Sequence, residues 1–396
     1  MSTSADVAAA PGRAGRPPAI TALTGLRFAA AAIVMVEHFP RLFPGLDPLA
    51  ASQGGAGVGL FFVLSGFVLV YNYGARFATG TAGYGRFLRA RLARVYPFHV
   101  ICLVLVTVVF ALQRNPAVTH PGGSSVVGWL ANLVLVHAWV PSLSFHSWNG
   151  PSWSISDELF FYAVFPVLCW RVLGRVRRAA LPWIAAGLYV VDAVLFFGVS
   201  LLVARHEVAA GNAAGAPFLL SRVAYLPWLR VWEFGLGCVL GTMLAGPSGA
   251  GTSPTGPFGS RTVREVATVV VALAAVGIQF VPDCLQRRCG PSVGTAAALL
   301  DVKLYVIYVP LAAVLVAALA WGPTWLSGVL SRPWPVRLGE ASYAFYLLQW
   351  TTRAVLDHAA PVGAVLTWAA VLATWVAALL AHRFVEAPLR RLVQPR

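Results

Sequence analysis

The chain is poor in charge. Asp, Glu, Lys and Arg together supply 11% of its 396 residues, whereas 58% are hydrophobic and the mean hydropathy is +0.74. A soluble core cannot absorb that many apolar side chains, and no soluble domain of ordinary size fits between the apolar runs. Lysine is almost missing: Lys303 is the only one, so arginine carries the net charge of +15. The arginines form short clusters between apolar runs, which is the positive-inside pattern of a membrane protein. Partners suited to this charge are membrane lipids with anionic headgroups, or a phosphorylated cosubstrate entering from the cytoplasm; nucleic acid is not among them. Cysteine is scarce as well. Cys102, Cys169 and Cys238 sit in apolar runs as small packing residues, while Cys284 and Cys289 share the loop DCLQRRC and could pair on an oxidising side. No cluster offers four ligands, so no metal is expected. A signal peptide is not expected either, since the run after residue 19 is long, contains Arg27 and lacks a clear small-residue cleavage site.

What fills the chain instead is a series of apolar runs about as long as a bilayer is thick. Spans are expected near 20–39, 56–73, 95–112, 153–172, 180–203, 224–245, 264–281, 301–321, 337–357 and 361–382. The run Val126–Val140 is shorter. Arg76, Arg86, Arg89, Arg91 and Arg94 form one basic cluster, and Arg171, Arg175, Arg177 and Arg178 the next. Both belong in the cytoplasm, so an even number of crossings must separate them. Spans 95–112 and 153–172 supply two, which leaves 126–140 as a re-entrant or surface helix of an outer loop. The expected fold is all-α: a polytopic integral protein of the cell membrane with about ten transmembrane helices and both termini cytoplasmic. Residues 1–19 read as a disordered tail, 20–390 as one transmembrane domain, 391–396 as a short C-terminal tail, and 246–260 as a flexible linker.

The first run, ITALTGLRFAAAAIVMVEH from Ile20 to His38, holds Arg27, Glu37 and His38. An arginine inside such a helix is costly and normally faces a partner or a water-filled cavity. Eleven residues turn the helix about 20° beyond three full turns, so Arg27 and His38 share one face roughly 16 Å apart. Asp157 and Glu158 open the inward-running span at 153–172 and are expected near the depth of His38. A histidine held by a carboxylate is the usual construction for a general base. In RFLRARLARVYPFHV, Arg86, Arg89 and Arg94 can share a helical face and grip phosphates, besides anchoring topology. In GVGLFFVLSGF, Gly66 reads as a packing residue; Ser65 could line a chamber, but a nucleophile needs a nearby base. Arg230 and Glu233, i and i+3, are expected to pair with each other in a structural role. Asn149 and Trp153 in NGPSWSISDELFFY, and Tyr343 in LGEASYAFYLLQW, are candidate substrate contacts.

Seven segments, in order along nearly the whole chain, resemble the membrane-bound acyltransferase 3 family. They are TGLRFAAAAIVMVEH, GLFFVLSGF, RFLRARLARVYP, PSWSISDELFFYAVFP, EFGLG, LGEASYAFYLLQ and RFVEAPLRR. The family includes bacterial polysaccharide and O-antigen O-acetyltransferases and macrolide O-acyltransferases. The resemblance implies ten membrane helices, acyl-CoA as cytoplasmic cosubstrate, no metal, and transfer of the acyl group to a hydroxyl of a carbohydrate or macrolide-type acceptor. By resemblance, Arg27 and His38 match the essential basic residue–His pair, Glu158 the glutamate of the tryptophan–serine motif, and Arg94 with Tyr96 the donor-associated segment. Two positions depart from the pattern. Asp157 stands where a small or apolar residue is usual, and Gln349 where many members carry histidine. The esterase domain fused to some members is not expected, the chain ending eight residues after Pro388. The expected mechanism is direct transfer, with His38 as base steadied by Glu158 or Asp157, and Arg27 near the thioester. The competing class is a multi-pass transporter or flippase.

Overall fold

The computed structural model describes residues 18–43, 54–113, 126–145, 147–210, 223–245, 257–278, 306–359 and 362–393. Among the described residues there is no strand. The helices that position the site are α1 (Thr21–His38), α2 (Gly54–Ala78), α3 (Tyr84–Gln113) and the short α4 (Val126–Leu133) and α5 (Pro141–Phe145). They continue with α6 (Trp153–Val167), α7 (Leu181–Ala209), α8 (Pro227–Ala245) and α9 (Arg261–Gly277). The last are α10 (Tyr308–Ala320), α11 (Trp325–Leu330), α12 (Pro333–His358), α13 (Ala364–Ala381) and α14 (Ala387–Val393).

Each of the ten expected spans overlaps one of these helices, although residues 279–281 and 301–305 of two of them lie outside the described residues. Among the described residues, four stretches are long and apolar enough to cross a membrane by length and composition: Gly54–Ala78, Tyr84–Gln113, Arg178–Val203 and Ala364–Leu389. The run at 126–140 is different. Its eight-residue α4 is only about 12 Å long and gives way to Leu135 at φ 58° and a 3-10 turn at His137–Trp139. Cys102, Cys169 and Cys238 are free and buried, as packing residues should be. The Cys284–Cys289 loop, residues 1–17 of the tail and 246–256 of the linker lie outside the described residues. The expected C-terminal tail begins inside α14, which runs to Val393.

Glycines let the helices touch. A Cβ on Gly66 would lie 2.1 Å from the Phe234 carbonyl oxygen, and one on Gly237 would lie 2.0 Å from that of Val63. The backbones of α2 and α8 are therefore in direct contact, a common device where lipid provides no hydrophobic drive between helices. Gly339 meets the Thr24 carbonyl in the same way, at 1.9 Å, and fixes α12 on α1. Local signals start the neighbouring helices. Thr324 and Ser327 form a capping box before α11, and Pro333 at the head of α12 follows an extended Arg332.

Hydrogen bonds show how the helices alternate. At one end the Tyr71 hydroxyl donates to the Pro18 carbonyl, Thr21 to Ser331, and the Tyr84 hydroxyl to the Ala163 carbonyl. This end gathers the start of α1, the end of α2, the start of α3, the later half of α6 and the start of α12. At the other end the Gly54 amide donates to Glu37 and Gln113 to the Ala354 carbonyl. The arginine clusters at 76–94 and 171–178, with Arg332 and Arg337, thus belong to one end of the bundle.

One buried charge cluster braces α6, α7 and α8. Arg230 Nη1 lies 2.6 Å from Glu233 Oε1 with both side chains fully buried, which is the pairing expected from their spacing. Asp157 and Asp192 act on the same guanidinium electrostatically. The rings of Phe62, Trp153 and Phe196 surround it at 5.3, 5.8 and 5.6 Å.

Candidate active site

Helices α1 and α2 run antiparallel in a register set where Gly54 meets Glu37 and Gly57 meets Val34. Continuing that register along both helices brings Ser65 beside Arg27. A cavity opens there among α1, α2, α3, α6 and α12. Glu158 of α6 projects into it. Its Oε1 accepts a hydrogen bond from Ser65 Oγ at 3.3 Å and another from the Tyr162 hydroxyl, one helical turn further along. Arg27 borders the same space and feels the Glu158 charge. Arg91 and Arg94 of α3 complete a basic wall. Arg91 donates to the Tyr73 hydroxyl at 2.8 Å and lies over the Tyr73 ring. Tyr343 of α12 lines the cavity and donates to the Val95 carbonyl at 2.6 Å.

Arg27, Ser65, Arg94, Glu158 and Tyr343 therefore border one cavity. His38 does not. Its ring meets Trp350 edge-on at 5.6 Å, interacts with Gln349, and keeps a buried Nδ1 without a hydrogen bond. The expected shared depth of His38 and Glu158 is corrected: Glu158 stands level with Arg27, roughly 16 Å along α1 from His38. The cause is the segment before α6. Asn149, Ser147 and Ser152 are buried together, and Trp153 packs beside Phe62, two turns into α2. The helix thus starts well inside the end of the bundle.

Asp157 is a second correction. One residue from Glu158, it is turned about 100° round the helix, fully buried, and faces Arg230 and Glu233 instead of the cavity. Asn149 donates to the Leu347 carbonyl at 3.3 Å and Trp153 stacks on Tyr225 at 4.2 Å, so neither borders the cavity. Arg86 and Arg89 are exposed on the first turns of α3, and Tyr96 lies beside His99. Arg91, Tyr162 and Tyr346 border the cavity without having been expected there. The first was detectable: Phe87, Arg91, Arg94 and Phe98 recur at four, three and four residues, a stripe facing the bundle.

Outside the spans, His137 closes the polar cluster above α6. The Ser152 hydroxyl lies 3.2 Å from its Nε2 and 2.8 Å from Asn132 Oδ1. Burial, aided by the nearby His99, pulls this imidazole down to about 3.

An acyltransferase domain model, that of the acyltransferase 3 family, matches residues 20–382. Acyltransferase MdmB of Streptomyces mycarofaciens is 32% identical over 345 residues, covering 84% of this chain and 79% of its own. Protein 2 in the picA locus of Rhizobium radiobacter is 40% identical over 165 residues, covering 38% of this chain and 82% of its own. No solved structure matches. Between an enzyme and a transporter, the family decides for the enzyme. The chain belongs to the acyltransferase 3 family and is a membrane acyltransferase.

Proposed function

We propose that the protein moves an acyl group from acyl-CoA to a hydroxyl of a carbohydrate, glycosylated or macrolide-type acceptor. The observation that carries this reading is Glu158, held by Ser65 and Tyr162 across from Arg27 in a cavity walled by two further arginines. Arg91 and Arg94, with Arg86 and Arg89 outside, suit the phosphates of coenzyme A through charge-assisted hydrogen bonds. The thioester carbonyl then lies between Arg27 and Glu158. Glu158 takes the proton of the acceptor hydroxyl as its oxygen bonds to the carbonyl carbon. Arg27 stabilises the negative charge that gathers on the carbonyl oxygen. The C–S bond breaks, and the leaving thiolate receives the proton that Glu158 took up. This moves the base from His38 to Glu158.

The ten helices all cross the cell membrane in this reading, with both termini and the cavity's basic end in the cytoplasm. Support comes from the alternation of helix direction and from the arginine clusters gathered at one end.

Release of free thiol from acyl-CoA by the purified protein, dependent on a hydroxyl acceptor, tests the proposal; no release with any acceptor class would refute it. His38→Ala is therefore expected to keep kcat within a few-fold of the parent protein. Lost turnover at an unchanged acceptor KM would return the base to His38. A second reading is favoured by the Ser65–Glu158 hydrogen bond: an acyl-Ser65 intermediate. Ser65→Ala retaining transfer excludes it.

A further inference from the structure

The cavity has two unlike ends. Along α2 its lining runs from Leu69 to Val58, eleven residues or about 16 Å of helix. The Leu69 end lies with the arginines of α3, whereas the other end is formed by Val58, Phe61, Phe62, Ile155 and Tyr346. Val58, Phe62, Ile155 and Tyr346 are buried. This end has a floor. The Tyr346 hydroxyl lies 2.9 Å from Ser154 Oγ and donates to the Pro151 carbonyl at 3.2 Å, while its ring meets Phe61 edge-on at 6.0 Å. Phe62 is locked from behind by Phe161, whose ring is 5.0 Å away, and by Arg230. Phe61 is only partly buried. A charged or hydroxylated group has few partners among these side chains, but a hydrocarbon chain matches them.

On the reading that acyl-CoA is the donor, we propose that this apolar end receives the acyl chain and that Val58 and Phe61 set the longest chain accepted. With coenzyme A phosphates at Arg91 and Arg94 and the thioester level with Arg27, the acyl tail points along α2 toward Tyr346. Each added methylene then has to fit between Phe61 and the Tyr346–Ser154 floor. Pockets of this kind discriminate by roughly tenfold or more per methylene. Phe61→Ala lengthens the slot without touching the arginines, Glu158 or Ser65. Val58→Phe shortens it.

The test compares kcat/KM for acetyl-, propionyl-, butyryl- and hexanoyl-CoA in the parent protein and both variants, reconstituted in lipid. Phe61→Ala is expected to move the optimum to a longer chain and to raise the hexanoyl-to-acetyl ratio at least tenfold. Val58→Phe is expected to lower the ratio by a similar factor. A general packing defect would depress every donor alike. Active variants with the parent's chain-length profile would overturn the assignment while leaving acyl-CoA as donor. A parent that releases thiol from none of the four would overturn the donor reading and this proposal with it.

Discussion

At the scale of single residues, the first helix advertised its own importance: an arginine in an apolar run demands a partner. Sequence could place Arg27 and His38 on one face because both lie on one helix with a fixed pitch. It could not place Glu158, because depth in the bundle depends on how far the preceding segment is swallowed. That segment is held by Ser147, Ser152 and Asn132, whose mutual bonds leave no periodic trace. Arg91 was grouped with the topology anchors, yet it borders the cavity while Arg86 and Arg89 do not. Arg91→Ala is therefore expected to raise the acyl-CoA KM by about ten- to a hundredfold with a smaller change in kcat, consistent with loss of a charge-assisted contact of about 1.5–3 kcal/mol. An unchanged KM alongside a strong effect from Arg86→Ala would reverse that ranking.

At the scale of elements, helix existence was legible throughout, because each run is apolar for its full length. The contacts between helices were legible only where glycine marked them. Gly66 was expected to pack, and it lies against the α8 backbone at a distance that admits no side chain. Gly66→Leu should destabilise the protein by at least about 1–3 kcal/mol, the usual cost of overpacking, seen as a lower unfolding temperature in detergent. Gly187→Ala, where nothing lies within 4 Å, should be neutral or slightly stabilising; equal losses at both sites would contradict the α2–α8 contact. The segment around His137 makes a separate prediction. Its imidazole is neutral in the fold down to about 3 but takes a proton near 6.5 when unfolded. The unfolded state then binds more protons between those values, so stability falls as pH drops from about 6.5 toward 3. His137→Gln should flatten the part of that slope nearest pH 6; an unaltered slope would remove His137 as its source.

At the scale of the whole molecule, charge distribution was the most informative property of the sequence. Counting arginine clusters required an even number of crossings between residues 94 and 171, and the eight-residue α4 is too short to add a third. What the count could not give was the order of neighbours around the bundle, since every span is apolar on several sides. That order brings α1, α2, α3, α6 and α12 around one cavity. The topology is testable directly: a reporter inserted at Arg175 should read as cytoplasmic and one at Val140 as external. The reverse pattern would contradict the sidedness of the site.

The account rests most heavily on Glu158 as the base beside the thioester. Glu158→Gln keeps the shape and the hydrogen-bonding reach of the side chain but removes its basicity. In lipid-reconstituted protein, acceptor-dependent thiol release from acyl-CoA is predicted to fall by roughly a hundredfold or more, with acyl-CoA binding retained. Turnover within a few-fold of the parent protein would contradict it.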